Sequence, residues 1–150
     1  MAVNNIKINI KAVLENIAVV RVAVSSFVSN LDVTIDELMD IKTAVSEAVT
    51  NSIEHGYINE DDNNRVEVEA NIYSDEEDVV EIKITDYGIG IDDVELATTP
   101  TYTSKPELEH AGMGFTIMQT FMDEIIIDST KDKGTTITLK KKIKKKKSIK

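Results

Sequence analysis

Hydrophobic and polar positions recur along nearly the whole chain, and their period changes from segment to segment. In residues 3–10 (VNNIKINI), Ile6, Ile8 and Ile10 point one way and Lys7 and Asn9 the other, which predicts a half-buried strand. Residues 12–30 contain no Gly or Pro. There Val13, Leu14, Ile17, Val20, Val24, Phe27 and Val28 recur mostly at three- and four-residue steps, predicting a helix despite its β-branched content. The clearest helix is 34–56. Thr34 precedes Ile35-Asp36-Glu37, which suits a capping box. Ile35, Leu38, Met39, Val45, Ala48, Val49 and Ile53 share one broad face, and Gly56 reads as the C-terminal stop. After the polar turn NEDDNN (59–64), Val66, Val68, Ala70 and Ile72 alternate with Glu67, Glu69 and Asn71. SDEED (74–78) is a turn, and Val80, Ile82 and Ile84 give the partner strand of a hairpin.

The second half is punctuated by glycine. DYGIGID (86–92) ends the second hairpin strand in a loop. Residues 93–111 are polar, contain Pro, and carry Thr at 98, 99, 101 and 103. Loops this long inside a compact domain are usually functional. Gly112-Met113-Gly114 opens a helix through about Met122, followed by a strand over Ile125–Ser129, a turn at Asp132-Lys133-Gly134 and a last strand over Thr136–Ile143. No internal repeat is present. The pattern predicts an α+β two-layer sandwich, with a mixed, mostly antiparallel sheet and helices on one face.

Composition narrows the chemistry. A chain of 150 residues supports one domain. The absence of cysteine excludes disulfides, Cys-ligated zinc, iron–sulfur clusters and a thiol nucleophile. With His55 and His110 as the sole histidines, a site of three or more is excluded too. No stretch approaches the ~20 apolar residues of a membrane span. MAVNNIKINI lacks the basic and apolar regions of a signal peptide, so the expected compartment is the cytoplasm. The net charge of −10 is unevenly spread. KKKIKKKKSIK (140–150) holds eight lysines, and the remaining body is acidic enough to repel nucleic acid. We therefore read 1–140 as the domain and 141–150 as a frayed, solubilising tail, although such a tail can also touch RNA or anionic lipid.

Four groups of residues could carry chemistry. Glu47, Asn51 and His55 are spaced i, i+4, i+8, forming one polar stripe on the long helix. A solvated face explains such a stripe. A general base beside an oxygen ligand for Mg²⁺ is the other reading, and the stripe alone is a weak signal for it. Asp86-Tyr87-Gly88-Ile89-Gly90 can be a tight turn with an Asx bond. Its two glycines also suit close backbone approach by a ligand, and an ionised Asp86 could accept an exocyclic amine. Gly112-Met113-Gly114-Phe115 can present backbone N–H groups to a phosphate at a helix start. It is neither a P-loop nor a GxGxxG fingerprint. Gly134-Thr135-Thr136 is accounted for by a turn and a strand alone.

Their order is more informative than any one of them. ExxxN on a helix, DxGxG after a strand, a long loop, GxG opening a helix and GT before a strand resemble the N box, first glycine box, lid, second glycine box and closing Thr of the GHKL (Bergerat) ATP-binding fold. Within that superfamily, DIKTAVSEAVTNSIEHGY (40–57), TSKPELEHAGMGFTIMQTFMDEI (103–125) and RVAVSSFVSNLD (21–32) resemble the anti-sigma factor serine kinases. The likeness covers nearly the whole chain and ends near residue 140.

The resemblance implies Mg·ATP as cofactor, a sporulation-type sigma factor and a STAS-type anti-anti-sigma protein as partners, and a homodimer. It implies Glu47 as general base and Asn51 as Mg²⁺ ligand. Asp86 becomes the adenine acceptor in a pocket shaped by Gly88 and Gly90. Gly112, Met113, Gly114 and Phe115 form the phosphate-facing helix start, and Thr135 reaches the adenine directly or through water. His55, Lys105 and His110 are further ATP-site candidates, and Arg21 matches a partner-facing position. The resembled family usually has Arg where this chain has His110. An arginine on the transferred phosphoryl group is worth roughly 10³–10⁵ in rate. A neutral imidazole loses most of that near pH 7. His110→Arg is therefore expected to raise phosphotransfer and flatten its pH profile between about pH 6 and 8. Unchanged turnover over that range would sink the idea. Two other readings stay open: a detached histidine-kinase ATPase domain, opposed by the lack of an upstream phosphoacceptor helix, and a nucleotide-gated sigma-binding module with little kinase activity.

Overall fold

The computed structural model describes residues 1–57, 59, 61–91, 94 and 114–144. Among them, the regular elements are β1 (Asn4–Lys11), α1 (Ile17–Val28), α2 (Ile35–His55), β2 (Arg65–Ser74), β3 (Asp78–Asp86), α3 (Gly114–Phe121), β4 (Glu124–Thr130) and β5 (Gly134–Ile143). The expected helix over 12–30 starts later, because β1 stays extended to Lys11 and a 3₁₀ turn (Leu14–Asn16) lifts the chain from the sheet to the helix layer. The capping box of α2 forms as its sequence suggests. Thr34 Oγ1 accepts from the Glu37 N–H at 3.0 Å, and Glu37 Oε1 accepts from the Thr34 N–H at 2.9 Å. Thr34→Ala should cost about 1 kcal/mol. A thermal melt should show this as a fall of roughly 2–5 °C.

The five strands lie in the order β1-β2-β3-β5-β4, and every adjacent pair is antiparallel. The sheet is thus not mixed. Two features account for the difference. Helices α1 and α2 are joined by a short loop, so they run antiparallel and return the chain to the sheet reversed, giving an antiparallel β1–β2 pair. The connection from β3 through α3 brings β4 back in the direction of β3. Strand β5 then enters between them, so the two like-directed strands never become neighbours.

One face of the sheet is apolar. Val66, Val68, Ala70 and Ile72 of β2, Val80, Ile82 and Ile84 of β3, and Ile137, Leu139 and Ile143 of β5 are buried with the apolar faces of α1 and α2. The opposite face is polar. It carries the pairs Lys7–Glu69 (3.5 Å) and Lys140–Glu81 (3.7 Å), and Asn71 donates to Glu69 and Glu81. Partly exposed pairs of this kind contribute little to stability, but they keep the face compatible with water.

Strand β5 continues to Ile143, which is buried, so the lysine-rich stretch begins inside the sheet and not at residue 141 as a tail. The Lys141 side chain is only 12% exposed. Its ammonium donates to the Phe121 carbonyl at the end of α3 (2.7 Å) and meets Asp40 of α2 (3.3 Å). A cation on the last carbonyls of α3 suits the helix dipole. No helix among the described residues is long and apolar enough to cross a membrane.

Candidate functional site

The core-facing row of β3, Val80-Ile82-Ile84, ends in Asp86, which is 3% exposed. A carboxylate therefore stands where the pattern calls for another aliphatic side chain. Burial raises its pKa above the usual 3.8. The N–H groups of Gly88 and Thr135 and the Ser52 hydroxyl partly offset this by favouring the charged form. The Gly88 N–H donates to Asp86 Oδ1 at 3.1 Å. Ser52 lies on the core-facing side of α2. Its hydroxyl is buried and, among the described residues, makes no well-aligned hydrogen bond, although it is close enough to Asp86 to favour its charged form.

Glycines crowd this carboxylate. A Cβ on Gly56 would stand 2.8 Å from Asp86 Cγ, one on Gly134 would stand 2.1 Å from the Asp86 carbonyl oxygen, and one on Gly88 would stand 1.5 Å from the Gly56 carbonyl oxygen. Gly56 has helical backbone angles (φ −70°), so it is required by this close approach and not by a left-handed stop. Gly90 has φ +74° and packs on the Thr130 carbonyl. The protein's own backbone makes one close approach to each of Gly88 and Gly90. Thr135 faces Asp86 across the β3–β5 ladder, and its hydroxyl shares a 2.8 Å hydrogen bond with Ser129 Oγ. Ser129 Oγ also accepts from the Ile91 N–H at 2.7 Å, tying the loop after Asp86 to β4.

The other end of the site lies further back on α2. Glu47, Asn51 and His55 are half-buried along one stripe of that helix. Helix α3 packs chiefly against α2. A Cβ on Gly114, the first residue of α3, would be 3.7 Å from Glu47 Oε2. The Glu47 carboxylate therefore lies against the N-terminus of α3, where the helix dipole favours negative charge. Phe115 is buried in the core, so it can serve a ligand only through its backbone N–H. Lys105, His110, Gly112 and Met113 lie outside the described residues. Arg21 is exposed on α1, between the exposed side chains of Val19 and Val22.

Helix α2 joins the two ends. Glu47 and Gly56 are nine residues apart, or about 13 Å along the axis at 1.5 Å per residue. A buried acceptor at one end and a carboxylate beside a helix start at the other fit an extended molecule with a base and a phosphate chain. Residues 10–141 match the family of histidine kinase-like ATPase domains. The anti-sigma F factor of Clostridium beijerinckii is 54% identical over 143 residues, covering 95% of this chain and 96% of that protein. The chain belongs to the histidine kinase-like ATPase domain family, among its anti-sigma F factors. The anti-sigma F factor of Geobacillus kaustophilus is 51% identical over 146 residues, covering 97% of each chain. In structure, the chain resembles the RsbU and RsbW domains of Rv1364c from Mycobacterium tuberculosis, with a TM-score of 0.68 at 21% identity. That match covers 93% of this chain and spans 32% of the other. A histidine kinase domain from Erythrobacter litoralis follows at a TM-score of 0.55 and 14% identity, covering 89% of this chain and 62% of that one. These two likenesses concern the fold.

For this anti-sigma F factor relative, ATP is the ligand that an ATPase-domain family implies. Two neighbours of Asp86 were not singled out from sequence. Ser52 carries a readable signal, a hydroxyl on the apolar face of α2 one turn after Ala48. Tyr57, whose hydroxyl meets the backbone on either side of the loop, carries none, because a single aromatic past a helix end has no periodicity.

Proposed function

We propose that the chain is an anti-sigma factor that also acts as a Mg·ATP-dependent serine kinase on a STAS-type anti-anti-sigma protein. The observation that carries this reading is the placing of Glu47 against the first residue of α3, nine residues along the chain from Gly56, which packs on the buried Asp86. Adenine would donate its exocyclic amine to Asp86, beside Thr135, Gly88 and Gly90. The phosphates would reach the N-terminus of α3, where Gly114 has no side chain and Phe115 offers its N–H. Lys105, His110, Gly112 and Met113 are assigned to the same end by sequence alone.

Glu47 would take the proton of the substrate serine as its oxygen bonds to the γ-phosphorus and the bond to the ADP oxygen breaks. The carboxamide oxygen of Asn51, one turn on, suits a hard cation, since Mg²⁺ prefers oxygen donors and shares its shell with phosphates and water. That ion would neutralise phosphate charge. His55 completes the stripe towards Gly56. Arg21 between two exposed valines on a rigid helix fits a partner contact, because arginine and apolar anchors dominate interface energetics. The acidic body suits a basic partner such as a sigma factor. A homodimer and a cytoplasmic location belong to the same reading.

The test is a phosphotransfer assay with γ-labelled Mg·ATP and a candidate STAS protein. Label is expected on a partner serine. No label, with ATP still bound and a sigma factor still held, would favour the nucleotide-gated binding module, the reading that His110 supports.

A further inference from the structure

The β2–β3 ladder pairs Val66 with Asp86 as its last rung before the loop. The next rung would join Arg65 and Tyr87. A side chain stands there instead. The Tyr57 hydroxyl donates to the Arg65 carbonyl at 2.6 Å and accepts from the Tyr87 N–H at 3.0 Å. One oxygen thus satisfies both backbone groups and holds the two strands apart at this end. The loop turns as a result. Tyr87 swings outward, 59% exposed, with its phenol donating to Glu67 at 2.9 Å. Gly88 then folds back onto Asp86 Oδ1, and the Ile89 N–H reaches the Gly56 carbonyl at 2.7 Å.

We infer that Tyr57 is a positioning residue for base recognition: it pins the loop that follows Asp86 to the end of α2, and so holds the Asp86 carboxylate in place for an aminopurine. This rests on the nucleotide reading above. The joint has two adjacent anchors, the Gly56 carbonyl on Ile89 and the Tyr57 hydroxyl on Tyr87. Gly88 has no room to shift, since its Cα already lies against Gly56. The Tyr57 phenol has its pKa raised, chiefly by burial, so it stays protonated and able to donate throughout the working pH range. Tyr57 lies outside the row of groups expected to touch the nucleotide. Its effect passes through Asp86.

Tyr57→Phe removes one oxygen and keeps the ring. The two freed backbone groups lie near the surface, where water can meet them, so the fold should survive with a small fall in melting temperature. ATP affinity should fall about tenfold, as expected for a misplaced hydrogen bond to a charged group. The preference for ATP over inosine triphosphate, which has an oxo group in place of the amine, should shrink by a similar factor. The ATP/ADP affinity ratio should stay unchanged, because the phosphate end is untouched. In an Asp86→Asn background, Tyr57→Phe should add almost nothing further. Calorimetric titration of the four proteins with the three nucleotides reads all of this. A Tyr57→Phe protein that keeps the wild-type ATP preference overturns the inference, whatever its melting temperature. A wild-type protein without that preference overturns the nucleotide reading instead.

Discussion

Replacing Glu47 by Gln should lower phosphotransfer by ~10²–10⁴ while leaving ATP affinity nearly unchanged. Glutamine keeps the length and one oxygen of the carboxylate but cannot accept the serine proton at neutral pH. The first residue of α3 stands beside it, so one structural loss is a favourable charge at a helix start. That interaction is worth less than about 1 kcal/mol at a partly exposed position. The variant should therefore melt close to wild type. The informative pair of measurements is single-turnover label transfer and equilibrium ATP binding on one preparation. Loss of both together would show that Glu47 shapes the site without acting as a base. Loss of neither would remove it from the mechanism.

Asp86→Asn should act in two opposite directions. Asparagine replaces an acceptor-only group with one that also donates, so adenine loses a charge-assisted hydrogen bond. Such bonds contribute about 1.5–3 kcal/mol, which means roughly 10–100-fold in ATP affinity. Stability should move the other way with pH. Burial raises the native pKa of Asp86 above 3.8, so between 3.8 and that raised value the folded chain keeps a proton that the unfolded chain has released. The nucleotide-free wild type is therefore stabilised by this group at low pH and loses that stability as pH rises through the window. Asp86→Asn has nothing to titrate there. Its melting temperature relative to wild type should climb as pH is raised from about 4 and then level off. ATP binding to the anionic form should also release protons in that window, visible as a buffer-dependent heat. A mutant-minus-wild-type difference that does not change with pH would falsify the claim that the buried charge is costly.

How much of this was legible in the sequence depends on range. The Thr34–Glu37 capping box was readable because both partners lie within four residues. The β2–β3 hairpin was readable because alternation and a short turn fix its register. The order of motifs, Glu47 and Asn51 before Asp86, Gly88 and Gly90, before Gly114 and Thr135, pointed to the ATPase fold without any geometry. The position of β5 was not readable, because alternation in 136–143 says that a strand exists and not which strands it joins. Lys141 and Lys142 looked like a tail by composition, and the burial of Leu139 and Ile143 around them decided otherwise. The reason for Gly56 and Gly88 was hidden too. A glycine forced by a neighbouring backbone looks, in sequence, like a glycine that makes a turn or receives a ligand.

The place of β5 has a consequence for how the molecule comes into being. The last strand in sequence is not an edge strand; it lies between β3 and β4. Until it is added, β3 has an open edge, β4 has no partner, and Asp86 has no Thr135 opposite it. Its pairing with β3 joins residues 78–86 to residues 134–143, a closure over some fifty residues that comes late and slowly. A chain halted before residue 134 should hold the helices and the β1–β2–β3 sheet but no base pocket. Nucleotide should then rescue only chains that have already inserted β5, acting as a check on finished molecules and not as a template for unfinished ones.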